Sequence, residues 1–390
     1  MSRQASGCKL TASDRCLNME HSCQRFIPLY LGAPQPAMNN HPEELALARA
    51  YSSSQPFEEL SHEQMNRVMD RGRTLHKWFK AHKALHCAIG LAVIVFLLGA
   101  DYLVLIRVPR LFLPAGGSYS WGLLLLSSCV VGSLHSYLMY SLVVYSLHEG
   151  AAHKAIFPPD GPLGRFGHAI ASNLCRFAAG EPEFYSSHHM AHHAKFGTEE
   201  DGEFLNFVVP RRYWMTFFPL AAFINVSDFV IHRPPTYTHS RLLSAFLSSS
   251  YNLVYGYFLY RAYGLAFALF TMLVFLPHVG FYLDRLRQFT EHNLMPLDNR
   301  NGSRSFGMGF WGLLVGGGPW GSPCHWEHHL VASLPWYQQL ILHRYVVKLL
   351  TPRQREQFLI EPLIGFPRLW WRLVQDSQSF LRQSASPRVP

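Results

Sequence analysis

The sequence predicts an all-α integral membrane protein whose four membrane-spanning helices form two hairpins. Three observations carry this expectation. Four stretches of span length are nearly free of charge, and a helix needs about 20 apolar residues to cross about 30 Å of hydrocarbon. Lysine and arginine gather at one set of span ends: Arg67, Arg71, Arg73, Lys77, Lys80 and Lys83, then Arg285 and Arg287, then the segment His343 to Arg355. Such enrichment marks the cytoplasmic side. Finally, three histidine clusters each lie just beyond an apolar segment: His148-Glu-Gly-Ala-Ala-His153, His189-Met-Ala-His192-His193 and His325-Trp-Glu-His328-His329.

The elements follow in order. Residues 1–57 form a tail rich in Ser, Asn, Pro and Gly, a composition that favours disorder. Met1 to Gln24 has no apolar core and no small-residue cleavage site, so it does not read as a signal peptide, and Met19 or Met38 would also serve as a start. A membrane unit is expected over 58–345. It begins with a charged helical lead-in from Glu58 to Lys83. The first span is Leu85 to Ile106, where Asp101 requires a partner or the interface. The second, Trp121 to Leu147, is long enough to carry His148 into water. Leu243 to Tyr260 and Gly264 to Leu283 are the third and fourth, joined by a tight turn at Arg261 to Gly264. Residues 346–390 are expected to form an amphipathic helix and a tail.

With cation-poor loops at Arg107 to Ser120 and Arg261 to Gly264, both chain ends and all three clusters fall on the cytoplasmic side. Tyr213 to Val230 is a further apolar stretch. If it crossed, the second and third clusters would face opposite sides of the membrane. Asn225, Ser227 and Asp228 favour a helix lying flat in the interface instead.

Composition narrows the partners. The net charge of +9 comes without a basic helix or aromatic platform for nucleic acid. It fits anionic headgroups or an acidic electron-carrier protein. Seven cysteines without a CxxC pair read as free thiols in a reducing compartment.

The clusters carry the chemistry. Neutral imidazole is the commonest protein ligand for iron, zinc and copper. Eight imidazoles exceed the about four to six donors that one ion takes, so two metals are expected. His148 and His153 are five apart, unlike the i, i+4 pair of HExxH zinc proteases. On a regular helix they diverge by about 140°, which suits ligands to different metals or a distorted helix end. His189, His192 and His193 form an HxxHH, repeated at His325, His328 and His329. His188-x3-His192-His193 is also an acceptable spacing; His189 is preferred because it matches the third cluster. His292, just beyond the fourth span, is a ninth ligand. His135 and His278 read as packing residues, and His86, His168 and His343 carry no pattern.

Metal-bound histidines usually donate their second ring nitrogen to a carboxylate. Glu149, Glu183, Glu291 and Glu327 lie inside or beside the clusters, with Glu291 and Glu327 the favoured partners, whereas Glu199-Glu200-Asp201 reads as a solvated charge run. Nitrogen donors without thiolate fit iron, and two ferrous ions activate dioxygen strongly enough to attack an unactivated C–H bond. At a bilayer surface the natural substrate is a lipid chain, held in an apolar tunnel away from water.

These boxes, His148-x4-His153, His189-x2-His192-His193 and His325-x2-His328-His329, resemble the membrane fatty acid desaturase family, which includes lipid hydroxylases and carotenoid ketolases. The similarity runs from about Leu85 to His343. Ser322-Pro-Cys-His-Trp-Glu-His-His-Leu-Val-Ala-Ser-Leu-Pro-Trp-Tyr337 is similar to the third-box segment, Tyr185 to Gly197 to the second, and Arg287-x3-Glu291-His292 to the element after the fourth span. The sphingolipid desaturase branch is nearest. The resemblance implies four spans, a cytosolic helical cap and a non-haem di-iron centre. It further implies desaturation of an acyl chain with dioxygen and two electrons from ferredoxin or cytochrome b5. The third box begins with His325 where front-end desaturases carry glutamine, and no His-Pro-Gly-Gly haem motif occurs, so the electron carrier is expected to be a separate protein. Val331-Ala332 departs from the usual Phe-Pro after the third box, which bears on substrate rather than metal. Hydroxylation or ketolation by the same centre is the alternative outcome. A non-enzymatic membrane metal-binding protein is the alternative of another class.

Overall fold

The computed structural model describes residues 57–113, 120–157, 160–177, 181–198, 200–201, 203, 238–321 and 323–385. The expected N-terminal tail, with Met19, Met38, Cys8, Cys16 and Cys23, lies outside these residues, as do Glu199 and the stretch Tyr213 to Val230. The described chain is helical. Its one extended pairing among those residues is an isolated parallel bridge between Ser305 and Leu359.

The helices are α1 (His62–Ala81), α2 (Lys83–Phe112), α3 (Trp121–Val143), α4 (Pro162–Phe177), α5 (Pro182–Lys195), α6 (Thr238–Tyr263), α7 (Leu265–Leu269), α8 (Leu276–His292), α9 (Phe310–Val315), α10 (His325–Leu330), α11 (Trp336–Val346), α12 (Pro352–Phe358) and α13 (Gly365–Ala385). A π-helical stretch, Val144–Ala152, prolongs α3, and another, Phe270–Phe275, joins α7 to α8.

Local chemistry sets the helix starts. Ser61 opens α1 with a capping box: its hydroxyl accepts from the Gln64 amide at 3.1 Å while Gln64 Oε1 accepts from the Ser61 amide at 2.8 Å. The Ser120 hydroxyl accepts from the Leu123 amide and starts α3.

Two described helices are long and apolar enough to cross a membrane: α2, and α3 with its π-helical extension, 30 and 32 residues respectively. The expected third and fourth spans fall on α6 and on α7 through α8. In α6 the residues Ser248, Ser249, Ser250 and Asn252 dilute the apolar run. Large apolar side chains are nonetheless turned outward on three of these helices: Val95 and Phe96 on α2, Leu126 on α3, Leu253 and Val254 on α6. An apolar surface of this extent is what lipid covers. Inside, α2 and α3 pack through Ile94, Leu97, Leu142 and Tyr145, and α6 joins them through Tyr255 and Leu259.

Asp101 finds its partner across the α2–α3 contact. Its Oδ1 lies 2.5 Å from His135 Nδ1, and the imidazole stacks on Tyr255 at 4.5 Å. His135 is therefore a packing residue that answers a buried carboxylate.

A separate cluster ties the lead-in helix to the third histidine box. Val68 and Leu75 of α1 share a core with Trp326, Leu334, Leu342, Val346, Leu350 and Phe358. Polar contacts reinforce it: Gln64 Nε2 donates to the Leu349 carbonyl at 2.7 Å, and Gln354 Nε2 to the Glu59 carbonyl at 2.8 Å.

Removing one partner of a buried hydrogen bond leaves the other unsatisfied, at a cost of about 1–3 kcal/mol. Asp101→Leu is thus expected to lower the unfolding midpoint in detergent sharply, whereas Asp101→Leu/His135→Phe recovers most of the loss. Equal destabilisation by the single and double variants would remove the pair from this account.

Candidate metal centre

The first box is carried by the π-helical end of α3. Here the His153 amide donates to the His148 carbonyl, five residues back, at 3.1 Å. A π-helix closes on i→i+5 bonds, so residues that diverge on an α-helix come one above the other. The two imidazoles consequently meet edge to face with ring centres 4.9 Å apart. Of the two openings the spacing left, ligands to different metals or a distorted helix end, the backbone takes the second. Both side chains enter one group with His189 and His328.

The second box lies on α5. His189, His192 and His193 are buried; His188 stacks on Phe184 instead, with ring centres 5.2 Å apart. After Lys195 the chain reverses at Gly197, whose φ of +71° is left-handed, a conformation that costs glycine least. The reversal brings Asp201 back under the helix. Its Oδ2 accepts from the Gly197 amide at 3.0 Å, and its Oδ1 lies 2.9 Å from His192 Nδ1. Glu203, anchored through its amide on Asp201, reaches His189 Nδ1 at 2.7 Å.

This corrects two expectations. Asp201 belongs to no solvated charge run; it is buried and holds the His192 ring. Glu183 pairs with Arg176. Six positions before His189 on an α-helix, it sits about 120° round and about 9 Å away along the axis.

The third box occupies α10, and His292 ends α8. Trp326, fully buried, stacks on Phe358 with ring centres 4.0 Å apart and donates from Nε1 to the Arg300 carbonyl at 2.8 Å. Ser305 pairs with the Phe358–Ile360 backbone on one side and holds Glu327 and the Trp326 amide with its hydroxyl on the other. Glu327 Oε1 accepts from His343 Nδ1 at 2.7 Å. His343, without pattern in the sequence, is therefore part of the brace that fixes this short helix.

The structure brings the nine expected ligands together in two adjoining groups. His148, His153, His189 and His328 form one, and His193 joins it with Nε2 at 3.2 Å from His189 Nε2 and 3.0 Å from His328 Nε2. His192, His292 and His329 form the other. His325 joins that one, its Nε2 lying 2.8 Å from His292 Nε2 and 3.1 Å from His329 Nε2.

These inward contacts test whether a metal fits. His292 Nδ1 lies 2.9 Å from the Gly302 carbonyl, which can only accept, so Nδ1 carries the hydrogen and Nε2 presents a lone pair. His329 Nδ1 faces Asn299 Oδ1 at 3.2 Å, and His189 faces Glu203, with the same consequence. His325 has at most one Nε2 hydrogen to offer two such neighbours. His148 Nε2 is buried with no hydrogen-bond partner among the described residues. Lone pairs facing each other at about 3 Å repel, whereas donors about 2.1 Å from one ion and at right angles sit about 3 Å apart. The residues fit metal ions between them.

Electrostatics agree. Burial, followed by repulsion from neighbouring rings, holds the imidazoles of His153, His189, His193, His325, His328 and His329 well below the ordinary histidine range. They are neutral at pH 7, the form that binds metal. Burial acts on His192 too, but Asp201 and Glu203 outweigh it and raise that ring, making it the more basic donor. Cys324 lies with Glu327 and His343 in a separate group; burial pushes its thiol well up, so no thiolate is at hand there.

The sequence model of the fatty acid desaturase family matches residues 119–359, a stretch holding all three boxes and His292. The chain belongs to the fatty acid desaturase family. Among curated proteins no match is found. Desaturase-family proteins are enzymes that typically bind iron through histidines, and this chain's two histidine groups are consistent with such an oxidoreductase in a membrane.

Carboxylates behind ligand histidines are usually worth about 10–100-fold in metal affinity. Asp201→Asn and Glu203→Gln are each expected to weaken ferrous-iron retention against a chelator by that order, and Glu183→Gln to leave it unchanged. Equal retention by all three variants would contradict the orienting role.

Proposed function

We propose that this chain is a membrane-bound, dioxygen-dependent, non-haem di-iron desaturase that introduces a double bond into the acyl chain of a lipid. The observation that carries the reading is the convergence of nine imidazoles, eight of them buried and seven in contact with one another through Nε2, into two adjoining groups. One ion cannot use nine donors.

His148, His153, His189, His193 and His328 would hold one iron, and His192, His292, His325 and His329 the other. Bound there, the iron pair supplies dioxygen activation, for which two electrons arrive from outside. The chain's own residues do the rest. Asp201, Glu203 and the Gly302 carbonyl fix ring orientation from behind. Burial of the whole cluster excludes water, which protects a reactive centre. The α3 helix projects past the hydrocarbon: 32 residues extend roughly 45 Å, against about 30 Å of hydrocarbon. That length sets the His148 end at the polar edge of the bilayer, where a lipid chain can reach it from between the helices.

Four spans follow on this reading, α6 and α7–α8 forming the second hairpin, with a cytosolic helical cap, both chain ends and the iron site on the cytoplasmic side. The basic lead-in before α2 and the net charge of +9 suit an acidic carrier of ferredoxin or cytochrome b5 type, attracted over several ångströms by opposite charge.

The test is aerobic expression in a host supplied with reductase and carrier, followed by mass spectrometry of sphingolipids and glycerolipids. A new species lighter by two hydrogens is expected. Added oxygen would assign hydroxylation or ketolation to the same centre. An unchanged lipid profile from chain holding two irons would leave a non-enzymatic metal-binding protein.

A further inference from the structure

We propose that Glu291 is the tenth donor of the centre, an anionic oxygen ligand to the second ion. The inference rests on the two-iron reading and deepens it. Four imidazoles, His192, His292, His325 and His329, make up the second group, fewer than the roughly six donors an octahedral ion takes. Glu291 stands where the second group is short. It is fully buried, and it forms a compact donor set with His292 and His325, ligand atoms all within 4.8 Å of one another.

Its aim sets it apart from the orienting carboxylates. Glu203, Asp201 and Glu149 address Nδ1 atoms, the outward nitrogens of His189, His192 and His148. Glu291 Oε2 lies 3.6 Å from His325 Nε2, an inward nitrogen. That separation is too long for a hydrogen bond. It falls between the roughly 3.0 Å and 4.2 Å that separate two donors at about 2.1 Å from a shared ion, at right angles or opposite. The other oxygen, Oε1, is buried with no hydrogen-bond partner among the described residues.

The local sequence explains the aim. Arg287, one turn back on α8, donates to Glu291 Oε2 at 2.8 Å and to Asp284 Oδ1 at 3.0 Å. The guanidinium is thereby shared between two carboxylates. Imidazole ligands bring no negative charge to two divalent ions, so an anionic oxygen ligand, deprotonated on binding the metal, lowers the cost of holding them in a buried site. Iron accepts carboxylate oxygen alongside imidazole nitrogen.

The test loads purified full-length chain anaerobically with ferrous iron-57 and reads iron content, chelator release and Mössbauer spectra. Glu291→Gln preserves shape and the Arg287 contact but removes the anionic oxygen. One of two ferrous doublets is expected to change, with its iron released at least about ten-fold faster, while the other doublet stays as in the wild type; His189→Ala disturbs the other. Should Glu291→Gln fail to fold, Glu291→Asp is expected to keep two irons with one doublet shifted. Unaltered doublets in the folded variants would overturn the assignment. So would a wild-type spectrum from Arg287→Gln/Glu291→Gln, because Glu291 would then serve only to neutralise Arg287. A wild-type chain that never holds two irons would sink the two-iron reading itself, and this proposal with it.

Discussion

A set of buried imidazoles turns its unprotonated nitrogens toward one another, and only positive charge between them makes that arrangement favourable. His292 and His329 are committed by Gly302 and Asn299 to present lone pairs inward, and His325 cannot satisfy both. The rest of the site reads as machinery that enforces the convergence. The π-helical end of α3 swings His153 onto the side of His148, the left-handed turn at Gly197 returns Asp201 and Glu203 beneath α5, and the Trp326–Phe358 stack clamps the six-residue α10. Short helices at a buried site have little stability of their own. Their geometry is held by packing and by the carboxylates behind them.

Much of this was legible in the chain. The boxes announce themselves by spacing, and His189 outranks His188 because two HxxHH units should present the same face. The helices at the expected spans follow from length and apolarity, and the demand of Asp101 for a partner follows from the cost of burying a charge. The legible part ends where tertiary structure decides. Asp201 looked solvated because acidic runs usually are; only the reversal at Gly197 converts it into an orienting group, and Glu203 lies beyond that turn. Glu183 looked suitable because it is near in sequence, yet helical phase turns it toward Arg176. His343 has no motif, since its role comes from α11 packing beside α10. The i+5 spacing of His148 and His153 left two readings open, and only the backbone hydrogen bond of the π turn chooses between them.

The site's position relative to the apolar helices connects the chemistry to its setting. The first box is the direct continuation of a helix long enough to cross a bilayer, and His292 is the last residue of α8. Histidines of the candidate centre therefore ride on the ends of helices whose outer faces carry exposed apolar side chains. The C-terminal segment is part of the same construction, because Phe358 packs against the tryptophan of the third box and Gln354 against the lead-in to α1. A centre assembled from such distant parts of the chain holds its shape only while all of them are folded.

The central claim, two ions held by inward nitrogens without sulfur, is tested most directly by metal analysis of purified protein joined to X-ray absorption at the iron edge. Two irons per chain, each with nitrogen and oxygen neighbours and no sulfur, is the result this account requires. A single metal per chain, tetrahedral zinc, or sulfur from Cys324 in the first shell would contradict it.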